Sequence, residues 1–384
     1  MRQKFSSLGL YDRWIIISTL SLLGLGLLMV ASASMVISDR QFGYAFHYFI
    51  HQLAYLILGL LVAIQVSRVP IKICQKYSSY LFLLSYLLLI IVLLPGIGKT
   101  VNGSRRWIQL GFFSLQVSEI VKLAAILYLA SYLQRYQDEV RAKLKGFLKP
   151  MLLVMFLSSL LLLEPDFGAV VVVTMTYMAL LFLGGVRLWP FCVLLILVLI
   201  SLTLLAVLSP YRLQRVTAFL NPWHNAFGSG YQLTQSLIAF GRGGLFGVGL
   251  GNSIQKLFYL PEAHTDFLFA VLAEELGLIG ELLVLTLFII LIVRIFVIGR
   301  CAEMNNQLFS AYVAYGFALW LCLQTLINIG VNIGVLPTKG LTLPFISYGG
   351  SSMLINCLVV GILLRIAYEV HQKNATNRSR LTNY

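Results

Sequence analysis

The chain has 384 residues, of which 59% are hydrophobic and only 11% carry a charge. Soluble globular proteins contain roughly 45–50% apolar and about 25% charged residues, so this composition excludes an ordinary soluble domain and a disordered chain. The formal net charge is +14. In a chain this apolar, the positive charge is first a signal of membrane topology, because cationic loops stay on the cytoplasmic side. We therefore expect no nucleic acid partner.

Long apolar runs predict an all-α polytopic membrane protein, because a spanning helix needs roughly 20 apolar residues. We expect about ten transmembrane helices, at Trp14–Met35, His47–Val66, Tyr77–Leu94, Glu119–Leu133, Met151–Leu163, Gly168–Gly184, Trp189–Leu208, Thr265–Ile298, Leu308–Leu336 and Phe345–Val370. The fifth and sixth runs are short and are separated only by Glu-Pro-Asp-Phe, which predicts a tight connection at the membrane edge.

The distribution of Lys and Arg predicts the orientation of these helices. Ten spans place both termini on one side, and a cytoplasmic N-terminus gives the inside segments roughly twice as many cations as the outside segments. We therefore expect both termini in the cytoplasm. A large loop, at about 209–264 between helices 7 and 8, then lies on the outer, periplasmic side, and a loop of this length usually has a function. Residues 1–370 form a single transmembrane domain and residues 371–384 a polar cytoplasmic tail.

Two pairs of ionisable residues lie inside predicted spans, where a charge costs roughly 2.5–3.5 kcal/mol. Glu119 and Lys122 are three residues apart at the start of the fourth span, so they share a helical face and can pair. They form either a structural ion pair or a substrate-facing pair. Glu274 and Glu275 lie deeper, in the eighth span, and must be paired, line a hydrated cavity or be protonated.

Two acidic positions mark the outer membrane edge. Asp266 lies in or just after the first turn of the eighth span, where the helix dipole favours an acid. A carboxylate at this position could equally take a proton from a substrate hydroxyl. Asp166, beside Glu164, either caps the sixth helix or binds a divalent cation together with Glu164.

Arg106 and Lys339 are outer-face cations, which run against the positive-inside bias. They bind either anionic lipid headgroups or a diphosphate ligand. The glycine-rich stretch Gly241–Gly249 lacks the Gly-Lys-Ser/Thr ending of a phosphate-binding loop, so we expect no nucleotide cofactor.

Residues 332–352 read NIGVLPTKGLTLPFISYGGSS. This segment resembles the C-terminal signature of the SEDS family of bacterial shape, elongation, division and sporulation proteins. The resemblance extends over nearly the whole chain, because four further motifs follow in the family's order and spacing: Arg106-Trp107, Ser118-Glu119 with Lys122, Glu164–Gly168 and Pro261–Gly277. Residues 338–342 and 221–223 are more similar to the division members than to the elongation members.

The resemblance implies a ten-helix peptidoglycan glycosyltransferase that polymerises lipid II at the outer face of the bacterial cytoplasmic membrane, at the division septum. It implies a class B penicillin-binding protein, the septal transpeptidase, as partner, alongside other division proteins. An elongation-type polymerase is the near alternative. A lipid II flippase or transporter is the rival, since broken helices and polar groups at mid-membrane are typical of transporters.

The resemblance also implies roles for individual residues. The family's essential acid corresponds to Asp266, its Glu–Lys pair to Glu119 and Lys122, its second outer acid to Asp166 and its lysine before the tenth span to Lys339.

The chemistry of lipid II then predicts a mechanism. Asp266 deprotonates the 4-hydroxyl of the acceptor GlcNAc, which attacks the donor MurNAc with inversion and expels polyprenyl diphosphate. Lys122, Lys339 and Arg106 are candidates to stabilise the leaving group, and Glu119 would orient Lys122. Mg²⁺ or another divalent cation is a candidate cofactor whose ligands the sequence does not identify.

Overall fold

The computed structural model describes residues 11–101, 103–111 and 113–382, and these residues are mostly helical. The helices are α1 (Arg13–Phe42), α2 (His47–Arg68), α3 (Ile71–Leu93), α4 (Val117–Arg135), α5 (Gln137–Ala142), α6 (Leu144–Leu163), α7 (Phe167–Leu183), α8 (Leu188–Val207), α9 (Pro210–Leu220), α10 (Tyr231–Gly243), α11 (Leu268–Met304), α12 (Leu308–Asn332) and α13 (Gly350–Thr382). An irregular turn at Gln255–Tyr259 separates α10 from α11.

Each predicted span overlaps an apolar helix. Within the described ranges, eight helices are long and apolar enough to cross a membrane, namely α1, α2, α3, α4, α6, α11, α12 and α13. Helix α7 and the Phe191–Leu205 part of α8 are apolar but shorter. The protein is therefore a polytopic membrane protein, and the count of ten spans stays a prediction.

The expectation of an all-α chain is wrong for residues 98–116. Strands β1 (Gly98–Val101), β2 (Ser104–Leu110) and β3 (Phe113–Gln116) form an antiparallel sheet in the order β1-β2-β3. Gly103 and Gly111, which follow β1 and β2, have positive φ angles. Residues with a side chain rarely adopt such angles. Strands of four to seven residues were too short for the apolar pattern to predict. The sheet carries Arg106 and runs directly into α4.

Helix α4 lies at the centre of the bundle. It packs against α3, α12 and α7, and 83% of its most apolar stretch is buried, against 22% for α2. A charged pair on α4 is therefore enclosed by protein, where hydrogen-bonding partners are available. Lipid would offer none.

The long loop between α8 and α11, predicted to lie on the outer side, contains ordered structure rather than a simple connection. Helices α9 and α10 lie in it, and α10 packs along α11. Helix α11 is interrupted at Gly277, which has φ 63° and ψ −166°. The backbone of the loop reaches this interruption, since Leu278 N donates to Gly244 O at 3.0 Å and Val248 N donates to Glu274 O at 3.0 Å. A Cβ atom at Gly247 would lie 2.1 Å from Glu275 O, so only glycine allows this approach.

Several predicted helix boundaries differ from the structure; α3, for example, begins at Ile71 rather than Tyr77, and α6 at Leu144 rather than Met151. The eighth span was expected from Thr265, but α11 begins at Leu268. The tenth was expected from Phe345, but α13 begins at Gly350, because the backbone of residues 347–349 bonds to Gln52 of α2 instead. Helix α13 continues to Thr382, through most of the predicted polar tail.

Candidate active site

Asp266 lies in the turn that precedes α11. The N-cap position of this helix is Phe267, so Asp266 lies one residue before the cap. Its backbone oxygen accepts hydrogen bonds from the side-chain amides of two buried residues on α12, Asn328 at 3.0 Å and Asn332 at 3.1 Å. Its half-buried carboxylate faces Gly340, where a Cβ atom would lie only 2.8 Å from Oδ2. Helix α12 therefore anchors the backbone of the turn, while the carboxylate faces the 337–344 loop.

His264 holds the same turn from the other side. Its ring lies 4.8 Å from that of Tyr48 and 5.6 Å from that of Tyr348, and its backbone oxygen accepts from Tyr348 N at 3.0 Å. Burial lowers the pKa of His264, against an opposing effect of nearby Glu262. A neutral imidazole between two phenol rings thus links the Asp266 turn to α2 and to the start of α13.

Lys339 connects the Asp266 region to α7. Its ammonium lies 4.2 Å from the centre of the Phe167 ring, a cation–π distance. Phe167 is the first residue of α7 and follows Asp166, while Lys339 precedes Gly340. Asp266, Lys339 and Asp166 therefore lie along one continuous set of contacts, although they are far apart in sequence.

Arg106 of β2 contacts the α6–α7 connection and so joins the same series of contacts. Its guanidinium donates to the backbone oxygens of Glu164 at 3.2 Å and Pro165 at 2.5 Å, and Nη1 lies 3.7 Å from Asp166 Oδ1. Asp166 Oδ1 also accepts from Ala169 N at 3.2 Å. The predicted capping of the sixth helix by Asp166 is thus present, together with an ion pair that the sequence pattern did not indicate.

Glu164 is fully buried beside this ion pair. Among the described residues, neither of its carboxylate oxygens has a hydrogen-bond partner, and neither does Asp166 Oδ2. Burial raises the pKa of Glu164 to about 8, with a further increase from Asp166 and an opposing effect of Arg106.

These oxygens fit a divalent cation. Mg²⁺ is commonly held by one or two carboxylates, with substrate phosphates completing its coordination. In the part of the chain that the structure describes, no group of three or more His, Cys, Asp and Glu side chains could hold a metal ion. Glu164 and Asp166 could therefore hold the ion only with help from a ligand.

The Glu119–Lys122 pair lies beneath the 337–344 loop. The Lys122 ammonium lies 2.9 Å from the Glu119 carboxylate and donates to Gln324 Oε1 at 2.8 Å, above the Trp320 ring at 4.9 Å. Gln324 Nε2 in turn donates to Thr342 O at 2.9 Å. Both charged side chains are buried, so the pair supports the 337–344 loop through Gln324.

Glu274 is fully buried and saturated with donors. Arg242 Nη1 donates to its carboxylate at 2.8 Å, and Ser253 Oγ donates to it as well. The backbone amides of Ile254 and Gln255 complete the shell, at 3.1 and 3.3 Å.

Glu275 is paired in the same way. Lys256 Nζ donates to it at 2.7 Å and Ser32 Oγ, on α1, at 2.7 Å. Of the three alternatives for these two acids, pairing is therefore correct. The two pairs join the long loop between α8 and α11 to α11 and α1.

The sequence-predicted site residues thus fall into two groups. Asp266, Lys339, Asp166 and Arg106 lie along the loops at one end of the helices, and Glu119 with Lys122 lies deeper in the bundle. The supporting residues His264, Phe167, Gly340 and Gln324 were not predicted. His264 and Phe167 stood next to the predicted acids, but no periodicity or motif indicated which side chains they meet.

Comparison with known proteins identifies the family. The cell cycle protein family model that covers FtsW, RodA and SpoVE matches residues 13–372. The chain is 76% identical over 369 residues to the Coxiella burnetii protein named probable peptidoglycan glycosyltransferase FtsW, covering 96% of this chain and 99% of that protein. The protein of the same name from Legionella pneumophila is 57% identical, covering 94% of this chain and 92% of its relative.

Solved structures agree with this assignment. A chain from a study of structural coordination of polymerization and crosslinking by a peptidoglycan synthase complex has a TM-score of 0.77 at 28% identity, covering 94% of this chain and 99% of that one. The crystal structure of Thermus thermophilus rod shape determining protein RodA has a TM-score of 0.70 at 28% identity, with 94% and 98% covered. The chain belongs to the SEDS family, and the resemblance of its sequence motifs is confirmed.

Proposed function

We propose that the protein is a peptidoglycan glycosyltransferase that polymerises lipid II at the outer face of the bacterial cytoplasmic membrane, during septal wall synthesis in cell division. The names of its closely similar relatives support this activity. The observation that carries it is the position of Asp266. Asn328 anchors its backbone oxygen, and its half-buried carboxylate faces Gly340, the residue after Lys339, at the end of the row of charged residues described above. The proposal includes ten spans with both termini in the cytoplasm.

Asp266 is the general base of this mechanism. It takes the proton from the 4-hydroxyl of the acceptor GlcNAc as that oxygen attacks the anomeric carbon of the donor MurNAc. The configuration inverts and polyprenyl diphosphate leaves. A sugar hydroxyl is too weak an acid to ionise beforehand, so proton removal accompanies attack, and a general base contributes typically 10²–10⁴-fold.

Lys339 and Arg106 stabilise the leaving diphosphate. Negative charge accumulates there in the transition state, and fixed cations at that position lower the barrier. Lys122, oriented by Glu119, supports the leaving-group site from inside the bundle. Its buried ammonium is linked to the 337–344 loop through Gln324.

A divalent cation such as Mg²⁺ is proposed at Glu164 and Asp166. Glu164 and Asp166 would hold the ion together with substrate phosphates, and the ion would supply positive charge next to the diphosphate. Arg106 binds the backbone oxygens of Glu164 and Pro165, in the segment that joins the two acids, so their spacing does not depend on the ion. No nucleotide takes part.

The proposed partner is a class B penicillin-binding protein that crosslinks the new strands, with other division proteins. The similar chain comes from a complex whose description joins polymerization and crosslinking, which supports a synthase pair. Division rather than elongation is favoured by the similarity to FtsW proteins, at 76% and 57% identity.

Transport of lipid II is the weaker candidate. Its main support was the pair of acids deep in the eighth span, which could have carried protons or lined a pathway. Glu274 and Glu275 are instead saturated by Arg242, Lys256 and two serines.

The test is lipid II polymerisation in liposomes with the cognate transpeptidase present and its crosslinking blocked, with and without Mg²⁺. Wild type makes glycan strands, and Asp266→Ala makes none although it elutes as a folded protein. Glu262→Gln is the matched control, because it removes an exposed acid from the same turn and retains activity within about threefold. If wild type makes no glycan while labelled lipid II crosses the bilayer, the transporter replaces the enzyme.

A further inference from the structure

A cavity of about 200 Å³ lies at the end of α4 away from the candidate active site. Ser131, Tyr132 and Arg135 of α4 line it, together with Ser79 of α3 and Lys149 of α6. At a rise of 1.5 Å per residue, Arg135 lies roughly 20 Å along the helix from Lys122. The cavity therefore opens toward the opposite face of the membrane and has no part in the proposed reaction.

The opening of the cavity carries two cations. Arg135 and Lys149 are both exposed, and neither forms an ion pair with any acid in the described ranges. The acids nearest in sequence are Asp138 and Glu139 on the short helix α5. Lys143 and Lys145, at the start of α6, add further positive charge outside the cavity.

The interior of the cavity offers an unused hydroxyl group. Ser131 is 2% exposed, and its Oγ has no hydrogen-bond partner among the described residues. Tyr132 is differently placed, because its hydroxyl already donates to Gly146 O at 2.8 Å. The Ser131 hydroxyl is therefore available to donate to an acceptor atom of a molecule inside the cavity.

Apolar side chains continue from the cavity toward the middle of the membrane. On α3, Leu83 is 67% exposed and lies one helical turn beyond Ser79. On α6, Leu152 and Phe156, at 63% and 58% exposed, follow Lys149 on the same helical face. A ligand with a phosphate and an attached acyl chain would match both the cationic opening and this surface.

We propose that this cavity binds the phosphate headgroup of an anionic phospholipid from the leaflet opposite the active site. Arg135 presents a planar fork of donors that suits phosphate oxygens, and Lys149 adds a second charge. Ser131 donates from within, and the acyl chain lies along the exposed faces of α3 and α6. Basic pockets between transmembrane helices at the cytoplasmic surface are a recurrent way to hold such headgroups.

The test is native mass spectrometry of the full-length protein in detergent, with dioleoylphosphatidylglycerol or dioleoylphosphatidylcholine added. Wild type retains the anionic lipid at least tenfold more than the zwitterionic one. The double variant Arg135→Gln/Lys149→Gln loses this preference, and Ser131→Ala weakens retention several-fold. The control Lys143→Gln/Lys145→Gln removes the same charge from the same face, outside the cavity, and keeps the preference within about twofold.

Two outcomes would overturn the proposal. Equal loss in the cavity variant and the control would assign retention to general surface charge. Competition by millimolar inorganic phosphate, equal to that of the lipid, would assign the cavity to a soluble phosphate compound. Melting temperatures of all variants separate lost binding from lost fold, and Arg135→Lys, which keeps the charge but loses the fork, should retain an intermediate preference.

Discussion

Two sets of charged residues in this protein contrast sharply. At the loop end of the bundle, Asp266 and Arg106 are partly exposed and face loops. Inside the bundle, Glu274 and Glu275 are fully buried, each with a cation and hydroxyl or amide donors around it. Charges that the protein encloses and saturates stabilise the fold, whereas charges that stay partly exposed, such as Asp266 and Arg106, can contact a ligand directly. Lys122 is buried and reaches the site only through Gln324 and the 337–344 loop.

The largest expected effect is on stability, at the Lys256–Glu275 pair. Glu275→Ala leaves the Lys256 ammonium buried without its partner, which costs about 3–5 kcal/mol. Asp266→Asn, in the accessible set, leaves the melting temperature in detergent nearly unchanged although polymerisation is lost. The double variant Glu275→Leu/Lys256→Met should recover most of the stability, because it removes both charges together. Equal destabilisation by Asp266→Asn would contradict the distinction.

The next effect is on activity, at Gly340. Gly340→Ala places a Cβ atom 2.8 Å from Asp266 Oδ2, so the carboxylate or the loop must shift. We expect a loss of about tenfold or more in polymerisation rate with little change in stability, since misplacing a reacting group by about 1 Å can cost 10²-fold. Gly349→Ala is the control, because its nearest contacts are at 3.6 Å. Full activity of Gly340→Ala would remove the argument for close packing here.

A moderate effect is expected at Lys339. Lys339→Met keeps the length of the side chain and its contact with the Phe167 ring but removes the charge. We expect KM for lipid II to rise about three- to tenfold with a fall in kcat, because the lost charge stabilises the diphosphate more strongly in the transition state. Phe167→Leu, which removes only the ring, should change KM by less than about threefold. A KM unchanged by Lys339→Met would argue against a contact with substrate.

The smallest effect is the pH dependence of stability at His264. Burial lowers its pKa in the folded protein, so below its ordinary value near 6.5 the unfolded chain binds more protons. Stability therefore falls as the pH drops through this range, by at most about 1.4 kcal/mol per pH unit. His264→Phe, which keeps a ring between Tyr48 and Tyr348, should flatten this slope when melting temperature is measured from pH 5 to 7.5. An identical slope in the variant would assign it to another group.

The sheet and the helices of the long loop escaped prediction for the same physical reason as the contacts of the site residues. All of them depend on partners elsewhere in the chain. Strands β1 to β3 are held by pairing between residues up to ten positions apart. The interruption of α11 at Gly277 is held by backbone bonds to Gly244 and Leu245. Hydropathy reports the medium around a segment and carries no information about such partners, so Gly277 looked like part of an unbroken span.

The sequence by itself determined the class of protein, the approximate positions of its apolar helices and its family, and it predicted Asp266 as the candidate catalytic acid. These depend on composition, on runs of apolar residues and on local motifs, which the chain carries without reference to its fold. Only the tertiary structure decided that Glu274 and Glu275 are structural, that Lys122 lies beneath the 337–344 loop and that Asp266 faces Gly340. The role of a charge depends on which donors, acceptors and solvent surround it, and only folding brings distant segments together to set those surroundings.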